Sequence, residues 1–203
     1  TRDTINIMKI RYGENCAKSF QEINYGERIY VDGVHITFYP AGHILGSAQI
    51  LLEKKGNKTL ITGDYKTIHD NTSQHFELVK THNLVTEATF GMPIFKHPDP
   101  KIEIIKLIKS IEINSKTNHL VGAYALGKAQ RVINLLRLNK YKKDIYIHGA
   151  IEKISKYYAK QKIYLGNLVK ITKDNYKSLS GEIIITPPST LSDKWSRKFN
   201  NKK

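Results

Sequence analysis

The sequence holds one cysteine, one tryptophan and two methionines in 203 residues. The lone Cys16 excludes an internal disulfide and points to a reducing compartment. No stretch approaches the roughly 18 consecutive apolar residues of a membrane-spanning helix, so no membrane partner is expected and the chain reads as cytoplasmic. The opening TRDTINIMKIRYG lacks the shape of a signal peptide. It also lacks an initiator methionine and starts as if inside a domain. Low-complexity tracts and internal repeats are missing as well. Acidic residues are scarce: 18 Asp and Glu stand against 33 Lys and Arg, a net charge of +15. That imbalance suits a polyanionic partner such as nucleic acid. Lysine greatly outnumbers arginine, however, and Asn and Ile are common. AT-rich codons supply all of these, so charge alone does not decide the partner.

What is present describes a globular protein. Hydrophobic residues make up 40% and charged residues 25%, enough apolar material for one large domain or two small ones. The chain begins with helical patterning over 2–20 that breaks at Gly13, with CAKSF as a possible further turn. Short strand-like runs follow at 27–31, 34–39, 48–53, 59–62 and 84–87, with Asp32-Gly33 and Gly56-Asn57 as turn signals. This is the pattern of antiparallel hairpins. In the run at 34–39, Val34, Ile36 and Phe38 form the apolar side of the alternation. The character changes after Pro93. Helices at 102–113, 127–138 and 152–161 alternate with strands at 119–124, 144–150 and 181–189, which predicts a parallel sheet. The expected domains are therefore 1–92 and 93–203.

Within FYPAGHILGSAQI, His43 sits between glycines on the turn joining two strands. Glycine permits positive φ and close backbone approach, conditions under which a scaffold can present a reactive side chain; the alternative is a loop histidine facing water. Asp64 follows the strand TLIT and Gly63, and Glu87 ends the strand LVT. Imidazole and carboxylates presented at strand ends suit Zn²⁺, Mn²⁺ or Fe, while the plain readings are a turn-capping aspartate and a solvated strand end. GAYALGKA at 122–129 imitates a P-loop, but Ala129 has no hydroxyl for Mg²⁺. The helix start there still offers a place for a phosphate, with Lys128 as a nucleic-acid contact, against the reading of a tight strand-to-helix turn. His148 ends an apolar strand and reads first as a packed residue and second as a functional candidate. His35, His69, His75, His82, His97 and His119 have no spacing that argues for metal.

FYPAGHILGSAQI, LITGDYK and LVTEATFGMP, followed by AYALGKAQRVI, IYIHGAIE and PPS…WSRKF, resemble the metallo-β-lactamase-fold nucleases of the β-CASP group. The nearest look-alikes are the bacterial ligase-associated DNA exonucleases, relatives of the RNA 3′-end-processing nucleases. The likeness runs in order through almost the whole chain, with 21 positions from His43 to Asp64 and 23 from Asp64 to Glu87. It implies an α/β architecture: part of an αββα metallo-β-lactamase sandwich, then a Rossmann-like β-CASP cap with parallel strands. By motif it makes His43 a metal ligand, Asp64 a bridge between two divalent ions (Zn or Mn), and Glu87 the carboxylate that orients a catalytic histidine. The implied chemistry is metal-dependent hydrolysis of phosphodiester bonds in DNA, with RNA as the alternative and a DNA ligase as an associated partner. The family's H-x-H-x-D-H motif and its later histidine motifs have no counterpart here. The expectation is a middle segment that is inactive alone, from a broken or split gene or a trimmed sequence, with a separate chain as one source of the missing motifs; the competing expectation is a non-catalytic nucleic-acid-binding module.

Overall fold

The computed structural model describes residues 1–199 and 201–203, and it divides into two compact units, Thr1–Lys96 and His97–Lys203. Among the described residues no helix is long and apolar enough to cross a membrane.

The first unit opens with helix α1, Arg2–Tyr12, capped by Thr1, whose side chain accepts from the Thr4 amide. Gly13, at φ 94°, ends it. Residues 14–18 form turns and bends, so the helix ends at the Gly13 break and CAKSF adds no helical turn. Strands β1 (Arg28–Val31), β2 (Val34–Pro40), β3 (Ala48–Lys54), β4 (Asn57–Ile61) and β5 (Asn83–Val85) lie side by side in chain order. The first four pair antiparallel. Asp32 and Gly33, at φ 46° and 84°, form the first tight turn, the geometry that a right-twisted hairpin requires. The second turn is Lys55-Gly56, at φ 48° and 79°, one residue earlier than Gly56-Asn57: Asn57 already pairs with Lys54.

β5 departs from the hairpin pattern and pairs parallel to β4. Residues 62–82 cross back without regular structure to allow this. They fold over the side of the sheet where Thr37, Leu51 and Leu60 form one buried cross-strand row. Gln49, two positions from Leu51 and fully buried, donates to the carbonyls of Pro40 and Glu77. The face carrying Ile36 and Phe38 is only half-buried, so the side that looked more apolar is not the better covered one. Gln49 Oε1 is left buried without a partner among the described residues, and the returning segment supplies one of the two Gln49 bonds. Within it, Asp70 accepts from the Thr72 amide and hydroxyl and pairs with Lys66. Burial alone would raise the Asp70 pKa, but these bonds hold it below the usual carboxylate range.

The loop 41–47 between β2 and β3 is clamped from two sides. On one side the Lys66 amide donates to the Ala41 carbonyl at 3.0 Å, and the Ser73 hydroxyl donates to the Gly42 carbonyl at 2.9 Å. On the other, the hydroxyls of Thr1 and Thr4 donate to the Gly46 carbonyl at 2.9 and 2.8 Å. The Gln74 side chain accepts from the Gly46 amide at 3.1 Å. A Cβ at Gly42 would lie 2.3 Å from the Lys66 carbonyl oxygen, and one at Gly46 would lie 2.6 Å from the Asp3 Cβ. Both residues also have positive φ, 71° and 81°. These glycines are there so that neighbouring backbone can close on the loop from both sides.

The second unit is a four-stranded parallel sheet, β6 (His119–Gly122), β7 (Ile145–Ile147), β8 (Leu168–Lys170) and β9 (Ile183–Thr186), in the order β6-β9-β7-β8. β8 does not follow from the patterning: it has three residues and lies at an edge. β9 sits between neighbours and is buried at every position, which is why it opens with three consecutive isoleucines. Helices α2 (Pro100–Ile113), α3 (Lys128–Leu138) and α4 (Gly149–Lys160) supply the connections, and a short α5 (Lys194–Arg197) lies near the end. On α3, Ala129, Ile133 and Leu136 are fully buried, the i, i+4, i+7 spacing of a core-facing stripe. Ile171, Ile184 and Phe199 form a buried cluster with Trp195 and Tyr176 packed against it.

One variant tests the loop clamp. Gly42→Ala should lower the unfolding free energy by about 1–3 kcal/mol, the usual range for a strained backbone position, measured by urea denaturation with circular dichroism. Gly13→Ala, where a Cβ meets nothing within 4 Å, provides the comparison for the positive-φ cost alone. Equal losses in the two variants would mean that close approach of the backbone does not matter.

Candidate functional site

His43, Asp64 and Glu87 gather at one edge of the first sheet. β2 ends there, β3 starts there, and β4 and its parallel neighbour β5 both end there. His43 comes from the β2–β3 loop. Its amide and that of Ile44 both donate to the Ser47 hydroxyl at 3.2 Å, so the serine of the LGS motif folds the loop back beneath the histidine. Asp64 lies just past β4, where the Thr62 amide still donates to the Val85 carbonyl at 3.0 Å. His43 Nε2 stands 3.7 Å from Asp64 Oδ2, and both side chains are substantially exposed, 43% and 69%.

Glu87 does not end its strand; β5 stops at Val85. The carboxylate is fixed by the loop that follows. The Tyr65 amide donates to Oε1 at 3.1 Å and the Thr89 hydroxyl to Oε2 at 2.5 Å. These two bonds hold the carboxyl below its usual range, and the nearby His43 adds a smaller attraction. Glu87 is thus tied to the residue after Asp64 and held in its ionised form.

The pair His43–Asp64 was tested as a metal site by its own geometry. Two donors on one ion at roughly 2.0–2.2 Å subtend about the separation seen here, so the pair fits part of one coordination sphere. A zinc site takes three or four protein ligands. Among the described residues no group of three or more His, Cys, Asp or Glu side chains is placed to hold an ion. The described residues do not make a complete site.

Two further histidines come together although their spacing gave no hint of it. His69 and His75 stack with ring centroids 4.0 Å apart and planes inclined by 10°. Their Nδ1 atoms lie 3.0 Å apart, within hydrogen-bond distance.

In the second unit, the turn before α3 is a strand-to-helix turn whose amides are occupied. Gln130 Oε1 accepts from the Gly127 amide at 2.8 Å, the Leu126 carbonyl from Lys128 and the Tyr124 carbonyl from Ala129, each at 3.0 Å. The P-loop likeness therefore offers no open amide cradle for a phosphate. Lys128 itself is exposed, with Nζ 5.6 Å from the centroid of the exposed Tyr124 ring. His148 caps α4, its Nδ1 accepting from the Ala150 amide at 3.0 Å, and its ring meets Trp195 edge-on at 4.8 Å. Burial and then the charge of Lys198 push its pKa down. A neutral imidazole is what the cap requires, since Nδ1 must keep its lone pair; His148 is a packed, capping residue.

No family model matches the chain. Among curated proteins, an RNase J-like protein of Methanocaldococcus jannaschii is 30% identical over 198 residues, 90% of this chain and 46% of that protein. The endoribonuclease YSH1 of Gibberella zeae is 35% identical over 71% of this chain and 17% of its own length. The RNase aCSPSF2 of Saccharolobus solfataricus is 28% identical over 80% and 34%. The chain thus spans less than half the length of each. Closeness to ligase-associated exonucleases finds no support in these relatives. The sequence motifs, the mixed sheets and these relatives agree on one assignment: the chain belongs to the metallo-β-lactamase-fold β-CASP nuclease family.

Proposed function

We propose that this chain serves a metal-dependent nuclease that hydrolyses phosphodiester bonds in RNA. The observation that carries the reading is the approach of His43 Nε2 to Asp64 Oδ2 at 3.7 Å, at the sheet edge where Glu87 is also held. In this reading His43 and Asp64 are two ligands at a divalent-ion position, Zn or Mn, and Glu87 orients a further catalytic group. A bound ion would polarise the scissile phosphate and activate water. The named relatives are RNA-cleaving enzymes, which favours RNA over DNA. No relative's name supports association with a DNA ligase. The first unit corresponds to the lactamase-like part, expected over 1–92, and the second to the β-CASP cap, expected over 93–203. The remaining ligands come from residues outside this sequence, on the same polypeptide or a separate one. A second reading, a nucleic-acid-binding module without catalysis, is favoured by the lack of a three-ligand cluster among the described residues and by the charge of +15.

Three outcomes follow for the purified 203-residue chain. Elemental analysis after dialysis should find zinc well below one ion per chain, because two exposed ligands hold an ion weakly; tight stoichiometric zinc would contradict this. Labelled RNA should not be cleaved above background with Mn²⁺ or Zn²⁺ added. Cleavage should appear when segments carrying the H-x-H-x-D-H and later histidine motifs are supplied, and His43→Ala should abolish it. Degradation by the chain alone, lost in His43→Ala, would overturn the incomplete-site account. Finally, single-stranded RNA should bind without sequence preference and with steep salt dependence. Lys128→Ala should reduce the salt slope by about one contact. An absence of binding at low salt would show that the charge reflects composition alone.

A further inference from the structure

A cavity of about 660 Å³ opens in the second unit, walled by α4, the edge strand β8 and the connection between them. Its size falls within the roughly 300–1,000 Å³ of small-ligand pockets. It extends along α4 from Glu152 to Ala159, about 10 Å at the helical rise, and continues past the helix end to Lys162. Ile147, Ile163, Leu165 and Leu168 make its floor apolar. Lys156, Lys162 and Lys170 supply three positive charges against the single carboxylate of Glu152.

The polar groups are fixed before any ligand arrives. Glu152 accepts from Lys156 at 2.7 Å and from Lys170 at 2.8 Å. These two bonds bring its pKa down to about 2, so it is a permanent acceptor. The facing wall is also pinned. Arg137 donates to the carbonyls of Leu165 and Asn167 at 2.9 and 2.7 Å, and to those of Tyr141 and Lys143. Asn134 donates to the Tyr164 carbonyl at 2.9 Å. Gly166, at φ 65°, makes room for the guanidinium: a Cβ there would lie 2.3 Å from Arg137 Nε. Tyr164, whose carbonyl is thus anchored, keeps its ring 69% exposed at the lip. An ordered wall with an exposed ring lowers the ordering cost of binding.

The geometry points to a nucleotide site: the cavity takes one nucleoside monophosphate unit, free or as part of a single strand, apart from the metal-ligand edge. The phosphate meets Lys162. The base lies on the apolar floor and the Tyr164 ring, a sequence-tolerant arrangement. Glu152 accepts from a ribose hydroxyl or an exocyclic amine, which a fatty acid or a simple anion cannot donate. This rests on the reading that the chain acts on RNA, and it adds an anchoring subsite to it.

The test is nuclear magnetic resonance of the ¹⁵N-labelled chain, titrated separately with adenosine monophosphate, a five-nucleotide oligoadenylate and inorganic phosphate. The nucleotide and the oligomer should shift the amides of Ile163, Gly166 and Leu168. Tyr164→Ala should weaken binding by about fivefold or more, and Lys162→Gln should weaken it with a shallower salt dependence. Lys106→Ala, on α2, should change neither, and circular dichroism confirms that each variant is folded. Shifts with both probes support a site for the nucleotide unit; shifts with the oligomer alone place the site on a bound strand. Oligomer binding that leaves these amides silent overturns the subsite while the RNA reading stands. Filling by the free nucleotide without any oligomer binding keeps the subsite and removes the RNA reading. Phosphate matching the nucleotide in affinity at the same amides reduces the site to an anion patch and overturns the proposal.

Discussion

The candidate edge depends on how closely the backbone packs around the loop 41–47. Gly42 lies against the carbonyl of Lys66 and Gly46 against the start of α1, so the loop has little room to shift between them. Ser47 folds it internally by accepting from the amides of His43 and Ile44. The returning segment 62–82 holds one flank and, before it crosses back, places Asp64 at the same edge. Backbone groups buried by such contacts must find partners, and here the partners are themselves what positions the histidine. A mobile loop would visit the 3.7 Å approach only part of the time, whereas a clamped one keeps His43 beside Asp64.

The second unit uses the same device with different residues. Gln130 ties the α3 turn to Ser155 of α4, and Arg137 ties the far end of α3 to the strand connections. Both are polar groups satisfied by backbone or side-chain partners inside a mostly apolar body, which favours one arrangement over its near alternatives. The α3 turn is consequently closed, and the wall beside β8 is ordered while its exposed face remains available.

Much of this was legible in the sequence, for identifiable reasons. Asp32-Gly33 marked its turn because both residues tolerate positive φ. Lys55 gave no such signal, and the second turn was misplaced by one residue. The parallel sheet was visible because β9 carries an unbroken run of isoleucines, Ile183 to Ile185, and the helices alternate with strands. β8 was not, since three residues at an edge carry no period. Gly13 marked the end of the first helix because it takes positive φ at the cap, while CAKSF only imitated a further turn. The edge site was legible as motifs, AGH-x-LGS and TGD, but its construction was not. The contacts from Thr1, Thr4, Ser73 and Gln74 span tens of residues and follow no local pattern. Arg137 carries no motif that singles it out in the sequence, and only the path of the chain around Gly166 shows what it holds.

The central claim is that loop 41–47 holds His43 and Asp64 ready to share one ion. The most direct measurement is a crystal structure of the chain soaked in zinc. The account predicts an ion with His43 Nε2 and Asp64 Oδ2 both within about 2.2 Å, water in its remaining positions, and the loop backbone unmoved. An ion bound elsewhere with this pair empty, or a loop that rearranges to carry His43 away from Asp64, would contradict it.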